Sequence, residues 1–199
     1  MRFRLGEPPA TEAFEPGRDG RWRPLDEPGL DGFKRRAEIG MLAAMPLLGA
    51  AWGWLFAHIG RAGDLSGLSL LKAALSLPLL FAAHELLHML AHPGAGRHRD
   101  SVLGVLPGQG MLYAMYQGEM SRKHLLATLL APFLGLTVVP WLVCLWRAEF
   151  SGYWAVLSFV NGCGATGDLL AVYLLLRGVP ARGIVRNQGW RTWWRVPAA

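Results

Sequence analysis

Four apolar stretches, each about 20 residues long, constrain the fold of this chain more than any other feature of the sequence. They cover residues 39–59, 68–91, 124–146 and 153–176. A helix needs roughly 20 residues to cross the hydrocarbon core of a bilayer. With 52% hydrophobic and 17% charged residues, the chain is also more apolar than an ordinary soluble domain. The sequence therefore predicts an all-α integral membrane protein with about four transmembrane helices.

Prolines interrupt these stretches at four positions, Pro46, Pro78, Pro132 and Pro140. A proline has no N–H to donate to the carbonyl four residues earlier, so each one removes a helical hydrogen bond. Membrane helices tolerate this loss where neighbouring groups satisfy the freed carbonyl. The prolines are therefore compatible with four spanning helices.

The distribution of lysine and arginine predicts the orientation of the helices. Of the 20 basic residues, eight lie in the N-terminal segment, four in the 92–123 loop and five after residue 176. The opposite side carries only Arg61, Lys72 and Arg147. Because basic loops stay in the cytoplasm, both termini and the long loop are predicted to be cytoplasmic, in a bacterial inner membrane.

The chain divides into three segments by composition. Residues 1–38 are polar and rich in Pro and Gly, with no apolar core behind a basic start, which predicts a cytoplasmic segment and no cleavable signal peptide. Residues 39–176 form the membrane domain. Residues 177–199 form a basic tail in which Arg alternates with Trp, a pattern that suits a segment lying on anionic headgroups. RNA binding by the same mixture is the weaker interpretation, so we expect no nucleic acid partner.

The loop at 101–117 is apolar but too short to span a membrane. Its two halves flank Pro-Gly-Gln-Gly, which is a turn signal. We therefore expect a short hairpin that dips into the cytoplasmic side of the membrane. Gln109, Tyr113 and Tyr116 are candidates to line a substrate path along it.

The sequence FAAHELLHMLAH at 81–92 places titratable side chains inside the second apolar stretch. On a helix, His84 and His88 share one face, so their imidazoles can hold one metal ion while Glu85 reaches a water bound to it. A zinc ion lowers the pKa of that water towards 7, and the glutamate accepts its proton as general base. The alternative is a pair of histidines hydrogen-bonded to neighbouring helices. In a membrane, each ionisable group costs a few kcal/mol, and this favours a functional metal site.

Zinc catalysis usually requires a third protein ligand and one open position. The two cysteines, Cys144 and Cys163, are isolated within apolar stretches, so the ligand must be a histidine or a carboxylate. Asp168 is the acidic residue that lies deep in another span. It and His84 each follow the start of their span by about 15 residues, so both reach the same depth. His92, at the end of the second span before Pro93, is the alternative third ligand.

Small residues surround Asp168 in the segment NGCGATGDLL. Gly162, Gly164 and Gly167 allow another helix to approach closely, and they also suit a GxxxG-like dimer face, which leaves a homo-oligomer open. Asn161 lies seven residues before Asp168 on the same helical face. Its amide can donate to a substrate carbonyl or to a neighbouring helix.

These motifs resemble a known family. HELLH in one span, SRKHLLATLLAP at the start of the next and NGCGATGD in a later one are similar to the small membrane proteins described as zincin peptidases of unknown function. Their layout resembles that of site-2 protease intramembrane metallopeptidases. The resemblance covers roughly residues 70–190. It implies zinc at His84, His88 and Asp168 with Glu85 as the base.

The sequence thus predicts a zinc-dependent, site-2 protease-like peptidase of the HExxH type. Water activated by Glu85 would hydrolyse a peptide bond of a membrane-embedded or membrane-proximal substrate at the cytoplasmic side of the bilayer. A membrane metal-ion transporter or sensor that uses the same His and Asp residues is the alternative. A noncatalytic scaffold, in which the polar residues only join helices, is a third.

Overall fold

The computed structural model describes residues 1–10, 14–16, 18, 20–60 and 70–197 of the 199-residue chain. Within these ranges most of the chain is helical. The helices are α1 (Leu30–His58), α2 (Leu70–Ala91), α3 (Arg122–Phe133), α4 (Val139–Cys144), α5 (Ser151–Gly164) and α6 (Thr166–Gly178).

In the described part of the chain, three helical segments are long and apolar enough to cross a membrane: Leu30–His58, Ala74–Ala91 and Arg122–Cys144. Helices α5 and α6 meet at a bend of 44° and pass the same test as a pair, so they count as a fourth span if the bent pair is one. These segments overlap the four predicted stretches. The predicted residues 68 and 69 lie outside the described residues.

The third span is continuous but irregular. A π-helical turn, Leu134–Val138, joins α3 to α4, and Pro132 and Pro140 stand on either side of it. A π turn widens the helix by one residue and releases it from the regular hydrogen-bonding pattern. The backbone here is therefore free to offer carbonyl groups to neighbouring helices.

An apolar band covers the outside of the helices. Its members have exposed fractions of 39–72%, and they include Ile39, Leu42, Met45 and Leu47 of α1, Leu71, Leu75, Leu79, Leu86 and Leu90 of α2, and Val139, Leu142 and Val143 of α4. Soluble proteins rarely expose so many contiguous apolar side chains. The band is what a lipid-facing surface requires.

The prediction of an all-α fold is wrong, because seven strands form two sheets in the described part of the chain. The strands are β1 (Arg2–Leu5), β2 (Arg23–Pro24), β3 (Ser101–Leu106), β4 (Met111–Tyr116), β5 (Met120–Ser121), β6 (Ile184–Gln188) and β7 (Arg191–Arg195). All of them lie in the polar N-terminal segment, the long loop or the tail. These strands are short and several pair with partners far away in sequence, so the local sequence carried little signal of them.

The first sheet has the strand order β1-β3-β4. Strands β3 and β4 form the predicted hairpin, antiparallel from Ser101↔Tyr116 to Leu106↔Met111, with a 3₁₀ turn at Pro107–Gln109. Strand β1 pairs in parallel with β3 from the other side, with Arg2 opposite Val102. As a result, β4 is an edge strand.

The second sheet has the order β2-β7-β6-β5 and contains most of the tail. Strands β6 and β7 form a hairpin around Gly189, which has a φ of 55°. The tail's arginines and tryptophans are used within the fold: Arg23 stacks over Trp194, and Arg195 lies over Trp22 and pairs with Glu119 at 2.8 Å. These arginines and tryptophans therefore contact one another within the fold.

The two sheets place three distant parts of the chain on one side of the helices. A core of Leu25, Tyr116, Met120, Leu175, Val185 and their neighbours joins the second sheet to α3 and α6. A second core, Trp52, Leu55, Cys144 and Ala155, holds α1, α4 and α5 together at the opposite end. There the indole of Trp52 donates to Ser158 Oγ at 2.8 Å.

This arrangement makes a prediction about topology. In a cysteine-free background, single cysteines at the exposed positions Glu7, Gln109 and Arg182 should react with a membrane-impermeant maleimide from the same side of sealed vesicles. A cysteine at Trp146, which is 81% exposed at the other end of the helices, should react only from the opposite side. Labelling of Glu7→Cys and Arg182→Cys from opposite sides would contradict the position of both sheets on one side of the helices.

Candidate metal centre

Helix α2 turns one row of side chains inwards. His84, His88 and His92 follow each other at intervals of four, so they share one face, and the latter two are only 6% and 4% exposed. Leu86 and Leu90 lie on the outer face and are more than half exposed. The helix therefore presents polar groups to the interior and apolar groups to its surroundings.

Asp168 reaches the same place from the first turn of α6, just after the bend between α5 and α6. Its Oδ2 lies 3.1 Å from His84 Nε2, and its Oδ1 lies 3.3 Å from His88 Nε2. Gly162, before the bend, allows α5 to pack closely, because a Cβ there would lie 2.8 Å from the Leu48 side chain. Each ligand atom of the three residues lies within 4.8 Å of the others.

The hydrogen bonds behind the two histidines fix which ring nitrogen carries the proton. His88 Nδ1 lies 2.9 Å from the carbonyl oxygen of Thr128, which can only accept, so Nδ1 must donate. His84 Nδ1 lies 2.9 Å from Asn161 Oδ1. The amide orientation of Asn161 is also fixed, because its Nδ2 donates to the Pro132 carbonyl at 3.1 Å and to Thr137 Oγ1 at 2.9 Å.

A neutral imidazole at either position therefore directs the lone pair of its Nε2 towards the Asp168 carboxylate. Lone pairs repel the carboxylate oxygens unless a cation lies between them, and a bound metal ion or added protons would supply one. Two imidazole nitrogens and a carboxylate oxygen are a donor set that zinc prefers, with a fourth position left for water or substrate. The three residues could thus hold a metal ion of this kind.

Glu85 lies beside this group and contacts the first sheet. Its carboxylate lies near the backbone N–H of Ala114 in β4. The Val105 carbonyl accepts from Gly6 next to β1, so Val105 and Leu103 turn their backbone groups towards β1. Their β4 partners Leu112 and Ala114 are therefore not hydrogen-bonded to β3, and their backbone groups point away from it, as do those of Tyr116. The Tyr116 carbonyl agrees with this, since it accepts from Asn187 Nδ2 at 3.5 Å.

A cavity of about 790 Å³ opens in front of the three residues. Its walls come from α1, α2, α3, α6, β4 and the β6–β7 turn, and most of the lining is apolar, including Phe33, Met41, Leu112, Met115, Leu129 and Trp190. The volume lies in the range of ligand-binding sites in proteins. Tyr113 and Tyr116 line it, whereas Gln109 lies at the hairpin tip, where it accepts from Lys34 of α1.

Two further acid–base groups border the cavity without touching the group of three. Burial raises the pKa of Glu27, although its carboxylate accepts from the Thr192 N–H at 2.6 Å. Burial also lowers the pKa of His92 to about 4, helped by the nearby His88 and His124. His92 is therefore neutral at physiological pH.

The other sequence candidates occupy different places. His92 is not part of the group of three, and its buried Nδ1 has no partner among the described residues. His124 donates to the Ala91 carbonyl at 2.7 Å at the end of α2. Asn161 holds His84 from behind, so its amide contacts neighbouring helices. Sequence reasoning missed Thr128 and Pro132, which act through their backbone carbonyls, and Thr137, which acts through its hydroxyl.

Comparison with known proteins shows which family this chain matches. The family described as "Putative zincin peptidase" matches residues 77–183, which is more than half of the chain. An "Uncharacterized 24.7 kDa protein in gap 5'region" from Pyrococcus woesei is 32% identical over 120 residues, covering 58% of this chain and 51% of the relative. This chain thus spans about half the length of that curated relative. No solved structure matches significantly.

The geometry predicts which substitutions abolish metal binding. His84→Ala, His88→Ala and Asp168→Ala should each lose most of the zinc from purified protein that otherwise holds about one equivalent, because each removes one of three ligands. His92→Ala should retain it, since His92 lies outside the group. Elemental analysis of the detergent-purified proteins measures this. Zinc that persists in Asp168→Ala but is lost in His92→Ala would move the third ligand to His92.

Proposed function

The chain belongs to the zincin peptidase family, and we propose that it is a membrane-embedded zinc metallopeptidase of the HExxH type. The observation that carries this proposal is the convergence of His84 Nε2, His88 Nε2 and the Asp168 carboxylate beside Glu85. A zinc ion bound there would lower the pKa of a bound water and polarise the substrate carbonyl. The protein's own groups would transfer the protons and hold the substrate.

Glu85 is the general base of the proposed reaction. Its carboxylate would accept a proton from the attacking water and return it to the amine that leaves when the peptide bond breaks. Glu85 and Ala114 of β4 both line the cavity, so the proposed base lies beside this strand.

The free edge of β4 offers a place for an extended substrate. The backbone groups of Leu112 and Ala114 face away from β3, on the side of β4 that borders the cavity. A peptide strand added to such an edge gains main-chain hydrogen bonds, and its alternate side chains enter the apolar cavity. We therefore propose substrates with an unwound, apolar segment, held extended beside Glu85.

The exposed apolar band and the candidate spans support a location in a membrane. Since the basic residues concentrate on the side of the two sheets, we propose that this side is cytoplasmic, in a bacterial inner membrane. The site lies near that side, because α2 ends and the cavity opens towards the sheets. Cleavage would then occur in the cytoplasmic half of the bilayer.

The variant Glu85→Gln separates the proposed activity from metal transport. It should keep about one zinc per chain, because the three ligands remain, and lose cleavage by roughly 10²- to 10⁴-fold, because the general base is gone. The assay uses fluorescein-labelled β-casein in detergent and a labelled single-span peptide in proteoliposomes. Glu85→Asp provides a control that keeps a carboxylate but withdraws it by one methylene.

Two other results would overturn the proposal. Zinc flux into proteoliposomes that changes in Glu85→Gln, with no cleavage by either form, would indicate a transporter. A well-folded wild type that takes up no stoichiometric zinc would indicate that the polar residues only join helices.

The edge of β4 has its own test. Leu112→Pro removes one outward N–H while an edge strand tolerates the proline, so the fold and zinc content should remain and cleavage of the labelled peptide should fall about tenfold. Leu112→Ala is the matched control, because it shortens the same side chain but keeps the N–H. Equal losses in both variants would assign the effect to the side chain and argue against strand addition.

A further inference from the structure

Pro132 stands four residues after Thr128 in α3. In a regular helix, the N–H at position 132 would donate to the Thr128 carbonyl, but a proline has no N–H. Its ring also crowds that carbonyl and tilts it away from the helix axis. The Thr128 carbonyl is therefore free, and it is this oxygen that accepts the hydrogen bond from His88 Nδ1 at 2.9 Å.

The carbonyl of Pro132 itself serves the other histidine. It accepts from Asn161 Nδ2 at 3.1 Å, and the same amide donates to Thr137 Oγ1 in the π turn that follows. The Thr137 hydroxyl in turn donates to the Ser158 carbonyl at 3.1 Å, which leaves it as an acceptor for Asn161. These bonds hold Asn161 Oδ1 towards His84 Nδ1.

One short irregular stretch, residues 128–137, thus orients both imidazoles through their Nδ1 atoms. Pro132 is fully buried, with less than 2% of its side chain exposed, and it does not line the cavity. It cannot touch a substrate or a metal ion held between the three ligands. The two carbonyls link it to both histidines of the site.

We propose that Pro132 is a positioning residue for the metal centre: by withholding an N–H, it releases the Thr128 carbonyl to fix the ring orientation and tautomer of His88. This inference rests on the proposed function, since it assumes that His84, His88 and Asp168 hold zinc. Groups that hold the second nitrogen of a ligating histidine typically change metal affinity 10- to 100-fold when they are lost. The proline is present at this position because the site needs an unpaired carbonyl.

The test compares Pro132→Ala with Pro140→Ala in the full-length, detergent-purified protein. Alanine at 132 restores an N–H that competes for the Thr128 carbonyl, so zinc affinity measured by chelator competition should fall 10- to 100-fold. The thermal stability of the metal-free protein should stay or rise, because alanine favours a helix. Pro140 is also buried in the same span, on the far side of the π turn, and its alanine variant should leave zinc affinity unchanged.

A second replacement keeps the test decisive if Pro132→Ala does not fold. Nδ1-methylhistidine at position 88 preserves the Nε2 lone pair but cannot donate from Nδ1, so it should weaken zinc binding by a similar factor. Where Pro132→Ala does fold, adding this replacement to it should lower zinc affinity little further, because the bond it removes is already weakened. Independent, multiplying losses would overturn the proposal, and so would wild-type zinc affinity in both single variants.

The outcomes also separate this inference from the proposed function. If the wild type takes up no zinc, the proposed function fails. If the wild type binds zinc and Pro132→Ala binds it equally well, with a folded structure, only the positioning role of Pro132 fails.

Discussion

The arrangement on which the rest of the site depends is the meeting of two imidazole lone pairs with one carboxylate. The side chains of His84, His88 and Asp168 are only 13%, 7% and 18% exposed, so water does little to reduce the repulsion between their acceptor atoms. Burying polar groups in this way costs free energy unless they are paired. A cation in the centre removes that cost, and the hydrogen bonds behind each ring ensure that the lone pairs cannot turn away.

Those hydrogen bonds explain why the helices around the site are irregular. In an apolar setting, the backbone groups of a regular helix are hydrogen-bonded to one another, so no carbonyl is available to accept from a side chain. A proline or a π turn leaves a carbonyl without its helical N–H donor. This costs free energy unless another group donates a hydrogen bond to that carbonyl. In the third span, His88 and Asn161 are these donors. The departures from ideal helix geometry and the polar side chains therefore stabilise each other.

Three features could be predicted from the sequence: the apolar helices, the hairpin at 101–117 and the residues that meet at the centre. The resemblance to the zincin peptidase family is confirmed. The helix period places His84 and His88 together, and a shared depth in two spans singles out Asp168. The two sheets were not predicted, because β1 pairs with β3 and β2 pairs with β7 across about 100 or more intervening residues. A few alternating side chains in a short strand do not show which distant strand it pairs with. Thr128 escaped as well, since its backbone carbonyl contributes and no side-chain pattern marks it.

The sheets answer a problem that a helical bundle alone would leave open. A peptide bond inside a helical membrane segment is hidden, because its N–H and carbonyl are already paired. The proposed cleavage beside Glu85 would require that such a segment unwind, and its unpaired backbone groups would then need new partners. The backbone groups of Leu112 and Ala114 on the outer edge of β4 could be such partners near Glu85. Because β4 is joined through β3 to the N-terminal strand, this edge belongs to a three-stranded sheet, and a chain added to it would extend a sheet that already exists.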